Sequence, residues 1–190
     1  MAIKRCEWVS EDPIYIAYHD EEWGVPRHDE QRLFEFLILE TFQAGLSWIT
    51  ILRKRENFRA AFDDFDYKKV GLYNEDKVAS LLENAGIIRN KLKVRSAISN
   101  AKAFMEVQQE FGSFNKYIWG FMNGKPLQNE FKSVSDVPPK TELAELVSKD
   151  LKNRGFKFVG PTVIYAYMQA TGMVNDHTVD CFRHREVQNT

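Results

Sequence analysis

Cysteine is nearly absent from this 190-residue chain: Cys6 and Cys181 stand alone and far apart. Two such residues are poor support for a disulfide framework, so free thiols or metal ligands come first. No run of about 18 apolar residues occurs, and the opening MAIKRCEWVSEDP lacks the apolar stretch and small-residue cleavage site of a secretory signal. The expected compartment is the cytoplasm, with no membrane partner. Charge of one sign is missing too, since the formal net charge is −1. A nucleic-acid ligand would have to be met by a local basic face rather than by the chain total. Internal repeats and low-complexity tracts are not seen, and turn pairs such as Asn-Gly between alternating apolar runs are nearly absent.

What is present is 44% hydrophobic and 13% aromatic, enough for one substantial core and short for two. Apolar spacing at three and four residues dominates and predicts an all-α protein, one compact domain over residues 1–190. DEQRLFEFLILETFQAG begins with a capping aspartate, Asp29. Its apolar residues are so dense from Phe34 to Leu39 that this is the expected central buried helix. SWITILRKRENFRAAF restarts at Ser47, which leaves QAGL, residues 43–46, as a tight connection. Further helices are expected at about 75–84, 88–111, 114–122 and 142–154, and FKSVSDVPPKT, residues 131–141, as a loop. In VGPTVIYAYMQATG, Pro161 falls in the first turn of a helix and Gly172 just past its end. LKNRGFKFVGPTVIYAYMQA, residues 151–170, therefore reads as helix, tight turn, helix. Such a turn presents backbone N–H groups that suit a DNA phosphate, with Lys152, Arg154 and Lys157 nearby. An ordinary αα-hairpin with a solvated basic rim fits the same residues.

VNDHTVDC sets His177 and Cys181 four apart. If His177 begins a short last helix, both side chains reach one ion from one face. A tetrahedral site needs two more ligands, and CEWVSEDPIYIAYH supplies Cys6 and His19. Two buried thiols and two core histidines are the alternative reading. Closure by four protein ligands would make the ion structural. His28 and His184 read as surface histidines.

Taken together, CEWVSEDPIYIAYHDEEWGVP, QAGLSWITILRKRENFRAAF, AGIIRNKLKV, RGFKFVGPT and VNDHTVDC resemble the DNA-3-methyladenine glycosylase I family of the helix-hairpin-helix superfamily. The resemblance runs in order from about Cys6 to Cys181. It implies a helix-hairpin-helix domain with the hairpin at about 151–170. It also implies one structural zinc on Cys6, His19, His177 and Cys181, clipping segment 6–19 to segment 177–181. The implied activity is that of a DNA repair hydrolase. It would act as a monomer on double-stranded DNA containing alkylated bases, cut the N-glycosidic bond of a flipped 3-methyladenine and leave an abasic site. By the same resemblance Tyr15, Tyr18 and Trp48 bind the base, with Trp8 and Trp23 as further candidates, because electron-rich ring faces attract a cationic purine. Glu40, closing the apolar run LFEFLILE, is implied as the catalytic carboxylate that faces the base edge. The alternative turns it toward water.

The resemblance also implies DNA contacts at Gly45 and Leu46 of the QAGL turn, with Leu46 as a wedge, and at Lys157, Val159, Gly160 and Thr162 of the hairpin. Leu46 as a core residue is the alternative. The basic runs at 53–55 and 89–95 are further phosphate candidates. Superfamily relatives carry an aspartate in a Val-Asp-x-His context, whereas VNDH puts Asn175 at that position and Asp176 beside it. A cationic base is already a good leaving group, so pocket binding and Glu40 would carry more of the work. The lysine with which some relatives form a Schiff base corresponds to Thr162, which implies a monofunctional enzyme. Phe42 stands where relatives often have small or polar residues, and either reshapes the pocket or fills core. The competing functions are a zinc-stapled DNA-binding module without catalysis and a glycosylase for another lesion, the latter disfavoured by Asn175.

Overall fold

The computed structural model describes residues 3–189. Its central element is α2, Glu30–Gln43, in which every residue from Leu33 to Phe42 is buried. Asp29 caps it, accepting from the Arg32 N–H at 2.9 Å. A helix with no polar stripe is stable only when surrounded. Four α-helices and the 3-10 turn Asp63–Phe65 pack against this one, the helices being α3 (Trp48–Ala61), α6 (Lys91–Phe111), α7 (Phe114–Gly120) and α9 (Pro161–Ala170). Each large apolar side chain sealed in this way contributes about 1.5–3 kcal/mol.

The all-α, single-domain expectation holds. The helices expected from residue 75 onward are present as α5 (Glu75–Glu83), α6, α7 and α8 (Glu142–Asn153), opened by side-chain caps from Asn74, Asn90, Ser113 and Thr141. A four-residue α4 (Tyr67–Val70) and a final α10 (Phe182–Glu186) complete the later helices. Residues 131–141 form a loop with one 3-10 turn, Val134–Asp136. The helix α1, Pro13–Glu21, has no counterpart in the sequence reading. Asp12 accepts from the Ile14 N–H at 2.9 Å and Pro13 opens the first turn. Nor has the small parallel pair of β1 (Leu127–Gln128) and β2 (Val174–Asn175), which ties the loop after α7 to the segment after α9. Among the described residues no helix is long and apolar enough to cross a membrane.

Two histidine expectations are corrected. His177 does not begin a helix: α10 starts only at Phe182, with Cys181 in the cap position. The strand pairing holds Asn175 extended, and its side-chain carbonyl accepts from the His177 N–H at 3.3 Å. His184 is buried rather than on the surface, with Nε2 2.9 Å from the Asn129 carbonyl. His28 is exposed, its ring against Trp119.

A buried ion network joins α1, α2 and α3. Glu35 of α2 is 1% exposed. Arg55 and Arg59 reach it at 2.8 Å, Arg32 takes its other oxygen, and Arg55 also holds Glu22 at 2.8 Å. Burial alone would raise the Glu35 carboxyl, but Arg55, Arg59 and Arg32 hold it below the ordinary carboxylate range. Arg53 pairs with Asp12, and Lys54 donates to the Ala85 carbonyl. Of the 53–55 run, only Arg55 is buried in internal contacts; Arg53 and Lys54 stay at the surface.

The α8–α9 pair packs side by side through the turn at 154–160. Asn100 of α6, fully buried, holds that turn: it accepts from the Lys157 N–H at 2.8 Å and donates to the Lys157 carbonyl at 3.1 Å. Beyond α9 the chain reverses at Gly172, where φ is +69° and an added Cβ would stand 2.3 Å from the Pro26 nitrogen. That close approach lets residues 24–27 run along the end of α9, with Gly24 N–H on Gln169 O at 3.1 Å and Arg27 N–H on Thr171 O at 3.0 Å. Gly172→Ala adds a backbone clash to a left-handed conformation, so urea unfolding should show a loss of about 3 kcal/mol or more. A loss below about 1 kcal/mol would mean that the 24–27 segment is not held in this way.

Candidate active site and metal-ligand cluster

Near the C-terminal end of α2 the packing opens into a cavity of about 300 Å³, the small end of the range for single-ligand pockets. Its walls are aromatic. Tyr15 and Tyr18 come from one face of α1, Trp8 and Trp23 from the segments before and after it, and Trp48 from the first turn of α3. Tyr18 and Trp48 lie with ring centroids 5.5 Å apart, and Trp8 is 5.0 Å from both Tyr15 and Trp23. The structure therefore brings together all three expected aromatics and both further candidates. Val134 and Val137 of the 131–141 loop add to the apolar lining, a contribution the sequence reading missed.

Glu40 is 3% exposed, which excludes the reading that turns it toward water. Its Oε2 has no hydrogen-bond partner, and neither does the buried Trp48 Nε1. An unpaired acceptor and an unpaired donor thus belong to the lining of one cavity, a combination native interiors rarely keep without a ligand to meet it. Burial pushes the Glu40 carboxyl up to about 8. Phe42 fills core, packed edge-to-face on Phe58 at 4.9 Å and Phe62 at 5.8 Å. Just beyond it, the buried Lys93 ammonium donates to the carbonyls of Phe42 at 2.8 Å and Ala44 at 2.6 Å. It satisfies carbonyls that the helix end leaves open. Lys93 is therefore not a phosphate contact, and sequence gave no sign of its role.

Gln43, Gln169 and Asp176 also line the cavity. Asp176 is 2% exposed and accepts from Asn129 Nδ2 at 2.7 Å, Gln169 Nε2 at 2.8 Å and the Tyr165 hydroxyl. Asn175 is part of the scaffold, donating to Gln128 Oε1 at 2.8 Å and His184 O at 3.0 Å.

Behind the aromatic wall, Cys6, His19, His177 and Cys181 are all buried, with their ligand atoms within 4.8 Å of one another. The separations are 3.5 Å from Cys6 Sγ to His177 Nδ1, 3.5 Å from Cys181 Sγ to His19 Nε2, and 3.6 Å from Cys181 Sγ to His177 Nδ1. A tetrahedral ion with thiolates at about 2.3 Å and imidazoles at about 2.0–2.1 Å imposes sulfur–nitrogen edges of about 3.5–3.6 Å, so this donor set fits a metal. The outer ring nitrogens are engaged as well. His19 Nδ1 meets Asp20 at 2.7 Å, Asp20 is held by Arg5, and His177 Nε2 meets the Trp23 carbonyl at 3.0 Å. Burial pulls His177 below its ordinary range, which favours the neutral, ligating form. The Cys6 thiol, and then His177 and His19, draw the Cys181 thiol down. Trp23 packs 4.6 Å from His177 and Trp8 5.3 Å from His19, so the cluster backs the cavity.

Of the residues expected at a DNA surface, Leu46 is 39% exposed at the tip of the QAGL turn, which excludes the core alternative. Gly45 beside it has φ of +82° and open space in front. Lys157 and Thr162 are exposed, and Gly160 caps α9 with open space before it. Val159 differs: its side chain is buried and its carbonyl accepts from Ser148 Oγ at 2.6 Å, so it can meet a ligand only through its backbone. Arg154 is held by Glu110 and Asp150 at 2.7 Å each, and Arg95 by Glu75. Arg89, Lys91 and Lys152 remain exposed.

Glu40 also makes stability depend on pH. Its folded carboxyl titrates at about 8 against an ordinary 4.5, so between those values the folded protein keeps a proton that the unfolded chain has lost. Stability therefore falls as pH rises through that window. Glu40→Gln should match wild type near pH 4 and gain an advantage that grows to roughly 3–5 kcal/mol by pH 8, read from unfolding midpoints across the range. A difference that stays constant with pH would mean that Glu40 has a partner in the folded protein.

A family model for methyladenine glycosylases matches residues 8–184. Over 179 residues the chain is 50% identical to DNA-3-methyladenine glycosylase 1 of Escherichia coli K12, covering 94% of this chain and 96% of that protein. A crystal structure of 3-methyladenine DNA glycosylase I aligns with a TM-score of 0.92 at 50% identity, covering 94% of this chain and 98% of the other. The Staphylococcus aureus 3-methyladenine DNA glycosylase I, in a structure that addresses its recognition of 3-methyladenine, aligns with a TM-score of 0.92 at 36% identity, over 96% and 97% of the two chains. Matched over nearly all of its length in sequence and in fold, this chain belongs to the methyladenine glycosylase family.

Proposed function

We propose that the chain is a monofunctional DNA glycosylase that removes 3-methyladenine from alkylated double-stranded DNA by hydrolysing the N-glycosidic bond. One observation carries the reading: five aromatic side chains enclose a cavity in which a buried carboxyl oxygen, Glu40 Oε2, has no partner. In the nucleotide, 3-methyladenine is a cation, and ring faces attract it more than they attract neutral adenine. Its exocyclic amino group is the donor that Glu40 lacks. The approaching cation also opposes the burial that keeps Glu40 protonated, so the carboxyl ionises as the base enters and favours a charged base over a neutral one. No lysine follows Gly160 in α9, and Thr162 stands where an amine nucleophile would be needed. Water therefore takes the sugar carbon and an abasic site remains.

On the DNA side, Leu46 is the wedge that fills the space left by the flipped nucleotide. Gly45, Lys157, Gly160, Thr162 and the backbone of Val159 meet the strand around the lesion. Lys93 fixes the wedge turn to α6, and Asn100 fixes the hairpin turn to the same helix. That shared anchor keeps the two DNA-facing turns at a set separation, with Arg89 and Lys91 exposed at the near end of α6. Zinc is the ion proposed for Cys6, His19, His177 and Cys181. When bound it cross-links segments 6–19 and 177–181, and four protein ligands leave it no position for a reacting water.

The reading is tested by incubating the protein with methylated duplex DNA and separating the released bases. Free 3-methyladenine is expected. Tight binding with no free base would make the chain a binding module, and release of a neutral oxidised base would assign it another lesion. Protein purified without chelator should carry one zinc per chain. Cys181→Ser should reduce that content and lower the thermal midpoint by several degrees; unchanged metal content would remove Cys181 from the site.

A further inference from the structure

Lys93 is 7% exposed, yet among the described residues no carboxylate pairs with it; its partners are two backbone carbonyls. A buried ammonium without a counter-ion is costly, and a lysine that served only to cap a helix end would keep its charge in water. This one reaches across from α6, and the two carbonyls it meets lie on either side of Gln43. Phe42 O belongs to the last turn of α2, whereas Ala44 O belongs to the turn that follows. The backbone there explains what the second bond does. Ala44 has φ of −49° and ψ of 117°, Gly45 has φ of +82°, and the Leu46 N–H meets Gln43 O at 2.7 Å. These are the marks of a type II turn over residues 43–46, with glycine at the position that needs a positive φ. Types I and II differ by a flip of the central peptide, here the one between Ala44 and Gly45. Flipping it would turn the Ala44 carbonyl to the other side of the turn, away from Lys93. The ammonium therefore holds the one peptide that decides the turn type. Gln43 Nε2 adds a bond to Leu46 O at 3.0 Å, so the carbonyls of Phe42, Gln43, Ala44 and Leu46 are all engaged. A turn fastened this completely displays one apolar side chain, Leu46, at 39% exposure.

We infer that Lys93 is a positioning residue for opening the duplex: its ammonium locks the 43–46 turn in the type II form, so that Leu46 arrives already aimed at the space a flipped nucleotide leaves. The inference rests on the reading of Leu46 as the wedge. A paired base is held by stacking and by its partner, and extruding it demands free energy that a base in a single strand does not require. Insertion of the leucine supplies part of that free energy. On a turn free to flip, some of it would be lost to ordering the turn at the moment of contact. A turn held in one form beforehand avoids that loss. The lock thus matters for lesions inside duplex DNA and much less for lesions in a single strand, where nothing has to be displaced. It also explains why the cation is drawn from α6, the helix that carries Asn100 and so holds the hairpin turn as well.

Lys93→Met keeps the aliphatic stem and removes the ammonium. Single-turnover release of 3-methyladenine is compared on a methylated duplex and on its methylated strand alone, and the ratio of the two rates is the readout. That ratio should fall about tenfold in Lys93→Met. Damage to the cavity or to the fold at large slows both substrates alike and leaves the ratio in place. A second probe is a duplex in which 2-aminopurine faces a tetrahydrofuran abasic analogue. Its fluorescence should change when wild type inserts Leu46, and by less than half as much with Lys93→Met. Should Lys93→Met fail to fold, Gly45→Ala decides. An added Cβ there meets nothing within 4 Å, so the substitution penalises only the positive φ of the type II turn, and the ratio should drop about threefold or more. A ratio within about 1.5-fold of wild type in a folded Lys93→Met, or in Gly45→Ala where that variant does not fold, overturns the inference. Leu46→Ala separates it from the reading beneath it: an unchanged ratio there would remove the wedge, and this inference with it, while release of free base by wild type would still stand for the cavity.

Discussion

Five residues apart on one sealed helix, Glu35 and Glu40 meet opposite treatment, and the rest of the site follows from that difference. A carboxyl inside a protein must be neutralised, paired or left protonated. Glu35 is paired with arginines from its own helix and from α3. Glu40 is surrounded closely enough to be pushed up to about 8, and no side chain meets its outer oxygen. The first arrangement fixes the relative positions of α1, α2 and α3. The second leaves one point where that rigid frame is unsatisfied. A frame that could shift would relax around Glu40, so the selectivity of the cavity depends on the network around Glu35 as much as on the rings beside Glu40.

The aromatic wall is held from two sides. At the end of α1, Glu22 joins the arginine network through Arg55, while His19, on the same helix, belongs to the cysteine–histidine cluster. Trp8 and Trp23 lie between that cluster and the cavity. Gly24 allows the closest contact: a Cβ there would stand 3.0 Å from His177 Nε2. Stability and recognition are therefore not separable in this region, because the residues that back the wall are the same ones that would bind the metal.

Much of this was legible in sequence where the signal was local. Asp29 and the unbroken apolar run after it identified α2, and apolar spacing placed the later helices, although the one expected from about residue 88 starts at Lys91, behind its Asn90 cap. Helix α1 escaped because Ile14, Tyr15, Ile16 and Tyr18 follow no helical period; its capping pair, Asp12 and Pro13, was the only local sign. Strands of two residues are too short to leave a pattern. The four-residue spacing of His177 and Cys181 pointed to one site, although the segment between them is irregular and not helical. Partner-dependent properties were beyond reach. Whether Arg55 faces solvent depends on Glu35, twenty positions earlier in the chain, and whether Asp176 or Asn175 enters the cavity depends on strand pairing with residues 127–128. The five aromatics were recognisable as a set only through the family resemblance, since each alone reads as core.

The cluster also sets an order of assembly. Roughly 150 residues of synthesis separate segment 6–23 from segment 174–181, which at about 5–20 residues per second is an interval of roughly 8 to 30 s. Throughout that interval Trp8 and Trp23 on the growing chain have no His177 behind them, and Cys6 and His19 form half a ligand set. The part of the cavity translated first is thus the part completed last. A nascent chain can bury α2 and close its arginine network well before it can grip a base, and competence arrives abruptly once residues 174–181 leave the ribosome.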